Sequence, residues 1–380
     1  MSTLQRAGEL GRTMSEELLS NNEQRVPINI ILTFEPLSYS NNILLDTLSG
    51  KKTNRYPVWV MRQAGRILKE YRDVRAKAGS FINLVSNPDL AAEVTIQPVD
   101  LLGVDAAIIF SDILVIPEAM GFAYKMEEEK GPIFENIIAS PLDVQKLSVE
   151  HIAERLGYVT EAIKITKKNL NNRVPLIGFA GAPLTIFAYL TEGKGSKTFS
   201  KTRRFLYSHP VESHIALQKI TDATIIYLKA QIEAGADVIQ LFDSWAGIFE
   251  PNQYLLFGEK YINQITVAIS PKVPLTVFAK GACWAIERFA NTQCTTIGID
   301  WNIEMTKARE MAGKTKVLQG NLDPCILYGT IDDIQLATNK MLQSFAGNRH
   351  IANLGHGVYP DTDWQKLKCF IETVKEFNLN

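Results

Sequence analysis

Two arginines stand four residues apart in PVWVMRQAGR, Arg62 and Arg66, directly behind the apolar run Val58, Trp59, Val60, Met61. A guanidinium is a planar fork of donors that grips a carboxylate or phosphate bidentately. If the chain turns helical after Met61, a spacing of four puts both forks on one face. The pair then reads as an anion clamp. The competing reading is a solvated helix end with its own salt bridges, for which Glu70 and Asp73 are at hand. Asp112 closes AAIIFSD, and a carboxylate behind an apolar run is either a helix cap or a site acid. His356 lies between Gly355 and Gly357 in NLGHGV. Glycines on both sides let a ligand approach the backbone closely. A metal role for His356 is weak, because no second His or Cys stands at ligand spacing. Taken singly, Tyr189 and Ser244 carry no signal, and Phe179 reads as core.

These residues need elements to hold them. Short apolar, β-branched runs recur at 57–61, 106–111, 175–181, 237–243, 274–280, 295–300, 316–321 and 350–357. Most lack polar alternation, which suits strands of a parallel sheet buried on both faces. Helix-period segments separate most of them, at 87–103 with an Asn-Pro start, at 210–235 and at 330–347 with a glycine near the end. Eight such strands alternating with helices predict an α/β fold, a single-domain (β/α)8 TIM barrel. A doubly wound sheet would want a glycine-rich phosphate loop after its first strand, and GxGxxG is absent. A barrel places chemistry at the C-terminal ends of its strands. Those ends read Arg62-Gln63, Ser111-Asp112, Gly181, Asp243-Ser244, Lys280, Asp300, Asn321-Leu322-Asp323 and His356, a polar ring that capping alone does not explain.

The 380 residues are 46% hydrophobic, enough for a large core, and the formal net charge is −1. No global basic field exists, which argues against nucleic-acid partners; an anion has to meet a local basic site. None of Cys283, Cys294, Cys325 and Cys369 forms a CxxC or stands at finger spacing from a histidine. They read as reduced thiols of a cytoplasmic enzyme. No run of about 18 apolar residues occurs, so no membrane span is expected. Residues 1–40 mix glutamates with arginines and fit neither a secretory signal nor a transit peptide. They read as an N-terminal extension of unknown role, with Ile28–Phe34 readable as an added strand, and residues 41–380 as the barrel.

In order along the chain stand PVWVMRQAGR, AAIIFSDILVIPEAMG, VPLIGFAGAP, VFAKG, LQGNLDP and ANLGHGVYP. Over roughly residues 41 to 376 the sequence closely resembles the uroporphyrinogen decarboxylase family of haem biosynthesis; MRQAGR and GFAGAP are its most specific stretches. The resemblance implies a (β/α)8 barrel, a homodimer with facing clefts, and removal of carbon dioxide from the four acetates of uroporphyrinogen III to give coproporphyrinogen III, with no cofactor and no metal. It implies that Arg62, Gln63 and Arg66 bind carboxylates, with Ala64 and Gly65 on the same substrate-contacting segment. Asp112 then sits beneath the pyrrole N–H groups, and Phe179, Tyr189, Ser244 and His356 line the cleft. The chain departs from the family pattern at Ile67-Leu68-Lys69, at Leu184 and at Val99–Leu102, around the centre rather than in it.

The chemistry fits these residue types. A substrate with eight carboxylates needs arginines. Decarboxylation leaves an electron pair that needs a sink, and a protonated pyrrole supplies one without a cofactor. Asp112 would stabilise that cation in a low-dielectric site. The proton donor is open between an arginine, Tyr189, His356 and water. Two other readings compete. Corrinoid- or thiol-directed methyltransferases of the same superfamily hold zinc through His-x-Cys and a later Cys, whereas His356 is followed by Gly357 and Val358. A catalytically dead barrel would have lost Asp112 or the arginines.

Overall fold

The structure, a computed structural model, describes residues 39–379 except 128, 129, 346 and 348. The suggested strand Ile28–Phe34 lies outside the described residues. The centre is a seven-stranded, wholly parallel sheet. Its strands run in the order β1 (Ala107–Ile108), β4 (Leu176–Gly181), β5 (Val238–Asp243), β6 (Leu275–Ala279), β7 (Thr296–Gly298), β8 (Val317–Leu322) and β9 (His350–Leu354). All residues of β4, β5 and β9 are buried, as their unbroken apolar runs predict for strands covered on both faces. The sheet is curled. Gln319 Nε2 of β8 donates to Gln240 Oε1 of β5 at 3.0 Å, and Trp59 Nε1 donates to Gln319 Oε1 at 3.0 Å. β5 and β8 are not neighbours, so these side chains meet across the concave face.

The run 57–61 differs from its expected place as a full strand. It makes one parallel bridge, Val58 to Ala352. Ala352 N donates to Pro57 O and Asp105 N to Val58 O, each at 2.8 Å. The physical reason no longer ladder forms is that side chains take its amides. Asp105 Oδ2 accepts from Val58 N at 2.8 Å, Gln63 Oε1 from Val60 N at 3.0 Å, and Asn353 Oδ1 from Met61 N at 3.2 Å.

The helices follow their capping signals. Pro88–Leu102 starts where Asn87 Oδ1 accepts from Leu90 N, and it stops at Gly103 with φ +70°. Pro210–Glu233 is followed by Gly235 at φ +116°. Ile331–Ser344 opens on a reciprocal Thr330–Asp333 capping box. A small antiparallel hairpin, β2 (Tyr124–Glu127) and β3 (Gly131–Phe134), was not expected from sequence. Its strands are short and half-polar, unlike the apolar runs of the sheet. Among the described residues no helix is long and apolar enough to cross a membrane.

Candidate active site

The strand ends converge on one side chain, Arg62. The chain does not turn helical after Met61; the next helix is Lys69–Ala78. The expectation that Arg62 and Arg66 share a helix face is therefore replaced by a tight turn. Gln63 makes it. Gln63 is fully buried, its Oε1 accepts from Val60 N, and its Nε2 donates to Ala106 O at 3.0 Å. The amide is thus spent inside the protein, and Gln63 anchors the turn rather than facing the cleft. Arg62 sits in the left-handed region at φ +66°, a conformation that costs a non-glycine residue on the order of 1 kcal/mol or more and concentrates at functional sites. Its side chain crosses the His356 loop. A Cβ at Gly357 would come within 2.7 Å of Arg62 Cγ and 2.9 Å of Nε. The glycines around His356 thus make room for protein atoms, since a Cβ at Gly355 would meet Trp301 N at 2.8 Å.

From there the Arg62 guanidinium, exposed toward solvent, biases five other groups: Asp112, Tyr189, Lys280, His356 and Tyr359. These come from the ends of β1, β6 and β9 and from the helix Pro183–Glu192. Burial pushes the Asp112 carboxyl above the usual carboxylate range. The Leu114 amide, the Tyr124 hydroxyl, the Ile113 amide and Arg62 pull it back. Asp112 Oδ1 accepts from Leu114 N at 3.1 Å, so it does cap the following loop, while Oδ2 accepts from Tyr124 OH at 3.3 Å. Among the described residues no cation lies within ion-pair distance of Asp112. Four phenols surround it. Burial first, and the Asp112 charge in addition, raise Tyr124, Tyr158, Tyr189 and Tyr227. Glu118 is raised for the same two reasons.

His356 is half-buried. Burial, then Lys280 and Arg62, press its pKa down to about 3, so the ring is neutral at physiological pH and is no general acid there. Tyr189 is half-buried between Phe199 and Trp245, at ring distances of 6.3 and 6.1 Å. Phe179 belongs to a line of rings along the concave face: Phe179 to Phe242 at 5.6 Å, Phe242 to Phe278 at 6.3 Å, Phe278 to His356 at 6.4 Å. Phe179 is buried in the hydrophobic core, as its sequence reading expects. Ser244 follows β5 and is half-buried. Its neighbour Asp243 points the other way, behind the sheet, where it accepts from Thr185 Oγ1 at 2.5 Å and Tyr254 OH at 2.7 Å.

Arg66 is not drawn into this cluster. It is exposed beside Tyr71, and Arg72 Nη1 donates to its carbonyl at 2.7 Å. The proposed salt bridges of the arginines with Glu70 or Asp73 do not form either; Asp73 pairs with Lys69. Ala64 and Gly65 are half-buried parts of the turn. Sequence reasoning missed Tyr124, Tyr158, Tyr227, Glu118 and Lys280. Lys280 stood on the ring of strand ends and had that signal; the tyrosines sit in apolar contexts that read as core. All four cysteines are free thiols. Among the described residues no group of three or more His, Cys, Asp and Glu side chains is placed to hold a metal ion.

The family model "Uroporphyrinogen decarboxylase (URO-D)" matches residues 39–377. Among curated proteins, the chain is 45% identical over 337 residues to a uroporphyrinogen decarboxylase of Christiangramia forsetii, covering 89% of this chain and 98% of that one. It is 48% identical over 343 residues to one of Chlorobaculum parvum, covering 88% and 97%. Among solved structures, a methyltransferase from Methanosarcina mazei superposes with a TM-score of 0.76 at 22% identity, covering 89% of this chain and 99% of that one. The last likeness concerns the fold alone.

Proposed function

We infer, from the premise that this chain belongs to the uroporphyrinogen decarboxylase family and is a decarboxylase of porphyrin biosynthesis, that its cleft takes uroporphyrinogen III and removes carbon dioxide from the four acetates, leaving methyl groups. The observation that carries this reading at atomic level is the convergence on Arg62. The charge of one guanidinium acts on an acid without a counter-cation, a neutral imidazole, a tyrosine and a second cation. Such a cleft suits a ring of pyrrole N–H donors with anionic arms. Arg62 and, at the rim, the exposed Arg66 hold carboxylates of the substrate. Asp112 lies beneath the pyrrole N–H groups.

The step then proceeds without an external electron sink. A pyrrole carbon takes a proton and the ring becomes cationic. The C–C bond to the carboxylate breaks, its electron pair neutralises the ring, and carbon dioxide leaves. A second proton completes the methyl group as the ring gives up the first. Asp112, already held ionisable by two amides, Tyr124 and Arg62, stabilises the cation as it forms. Such a preorganised term is worth about 10²–10³ in rate. Neutral His356 and Tyr189 contribute hydrogen bonds rather than charge.

The same reading carries the finer architecture. Pro57–Met61 acts as the eighth stave of a closed (β/α)8 barrel spanning 41–380, an arrangement supported by its backbone bonds to both Asp105 and Ala352. A homodimer is part of the proposal, as is a cytoplasmic location; exposed Tyr207, Val211 and Ile215 are apolar surface that a second copy would cover. The test is direct. Purified protein is incubated anaerobically with uroporphyrinogen III, reductant and chelator, and products are resolved by carboxylate count. Stepwise loss down to four carboxylates is expected. No loss, or activity that needs added zinc and a methyl donor, refutes it.

A further inference from the structure

We propose that Lys280 is a substrate-binding residue, a cation across the cleft from Asp112 that takes one carboxylate of the substrate together with Arg62. This rests on the decarboxylase reading and adds a contact to it.

The strand register aims the side chain. Phe278 of β6 pairs with Phe242 of β5, and Ala279 pairs with Asp243. Phe242 and Phe278 belong to the ring line on the concave face, whereas Asp243 points behind the sheet to Thr185 and Tyr254. Alternation along the strand therefore turns Phe278 inward, Ala279 outward and Lys280 inward. The backbone holds it there, since Lys280 N donates to Asp243 O at 3.1 Å and Lys280 O accepts from Gly247 N at 2.9 Å.

Lys280 is half-buried, and among the described residues no carboxylate stands within ion-pair distance of it. Three groups face it. Arg62, from the turn after Met61, repels it. His356, from the loop after β9, is neutral. Asp300, after β7, attracts it, and more strongly than Arg62 repels it. Asp300 is engaged elsewhere: Oδ2 accepts from Gly281 N at 2.5 Å and Oδ1 from Asn302 N at 2.9 Å. Burial holds the ammonium below the usual lysine range, against the pull of Asp300 and with a smaller push from Arg62. A half-buried ammonium with no carboxylate at ion-pair distance costs folding energy. A carboxylate of the substrate entering beside it recovers that cost on binding.

Initial rates with uroporphyrinogen III decide the matter. Lys280→Met is expected to raise KM about tenfold or more, with a smaller change in kcat and an unchanged or higher melting temperature. Lys280→Arg should recover most of the loss. A structural lysine predicts lowered melting temperature and unaltered KM in the folded fraction, which would overturn the proposal. If Lys280→Met fails to fold, wild-type calorimetry decides. Coproporphyrinogen III, titrated at a series of alkaline pH values in buffers of different ionisation enthalpy, should bind with net proton uptake where the lowered lysine loses its proton, as a carboxylate restores the ammonium; binding without uptake anywhere in that series sinks the idea. Wild-type protein that does not decarboxylate uroporphyrinogen at all refutes the parent reading and this one with it, whereas active wild type with an unaltered variant refutes only this one.

Discussion

Buried acids are treated differently at the two ends of the strands. Just before β1, Asp105 receives Arg55 Nη1 at 2.6 Å and Nη2 at 2.8 Å, Val58 N at 2.8 Å and Asn41 Nδ2 at 2.7 Å. Just before β5, Asp237 receives Lys167 Nζ at 2.8 Å, Tyr39 OH at 2.5 Å and Leu176 N at 2.7 Å. Just after the strands, Asp112 and Asp243 have only hydroxyls and amides within hydrogen-bond reach. The first pair closes the N-terminal face with charges that cancel. In the second pair Asp112 keeps a negative charge without a counter-cation at the strand ends, whereas Asp243 keeps its carboxyl behind the sheet on two hydroxyls. Asymmetry of this kind separates a face that stabilises from a face that works.

The largest effect should follow from breaking a compensated pair. Asp105→Ala leaves Arg55 and the Val58 amide without their acceptor. Removing one partner of a buried pair costs about 3–5 kcal/mol, to be read from urea denaturation, while turnover per folded molecule falls far less. A drop in turnover at unchanged stability would erase the distinction between the faces.

Asp112→Asn should do the reverse. It keeps shape and the loop cap but removes the charge, so kcat should fall about 10²–10³-fold with unchanged or greater stability. The carboxylate is the working form and burial raises its pKa. Activity should therefore fade as pH drops, beginning above the range of an ordinary aspartate. Equal kcat for wild type and variant would leave Asp112 as a cap only.

Asp243 sharpens the comparison through pH. Burial, opposed by Thr185 and Tyr254, raises its carboxyl from 3.8 to about 6. Between those values the native state holds more protons than the unfolded one, so stability falls as pH rises through that window. A shift of about two units corresponds to roughly 3 kcal/mol. Asp243→Asn should flatten this slope in melts run from about pH 4 to pH 7; an identical slope would mean the acid is not strained by burial.

Much of this was legible beforehand. The strands of the parallel sheet fall within the predicted apolar runs, except that β8 runs one residue past at Leu322, because burial on both faces writes itself into composition. Asn87, Thr330 and Gly103 mark helix ends where their local chemistry says. Asp112 and His356 stand after β1 and β9, where the reading of the strand ends expected them. The turn carrying Arg62 and Arg66 was misread, since a spacing of four residues is silent on whether the chain is helical. It is the burial of Gln63, with bonds to Val60 and to Ala106, that bends it. Tyr124 was invisible because its partner Asp112 is met through a hairpin too short and too polar to announce itself.

By itself, then, the sequence determined the parallel α/β architecture, the residue types at the strand ends and the family, since each depends on local pattern and order. Tertiary structure decided which of those residues meet. The Arg62 charge bears on Asp112, Tyr189, Lys280 and His356 while Arg66 lies exposed beside Tyr71, because the approach of the loops depends on the curl of the sheet, on room left by Gly357 and on a strained φ, none of which has a period in the chain.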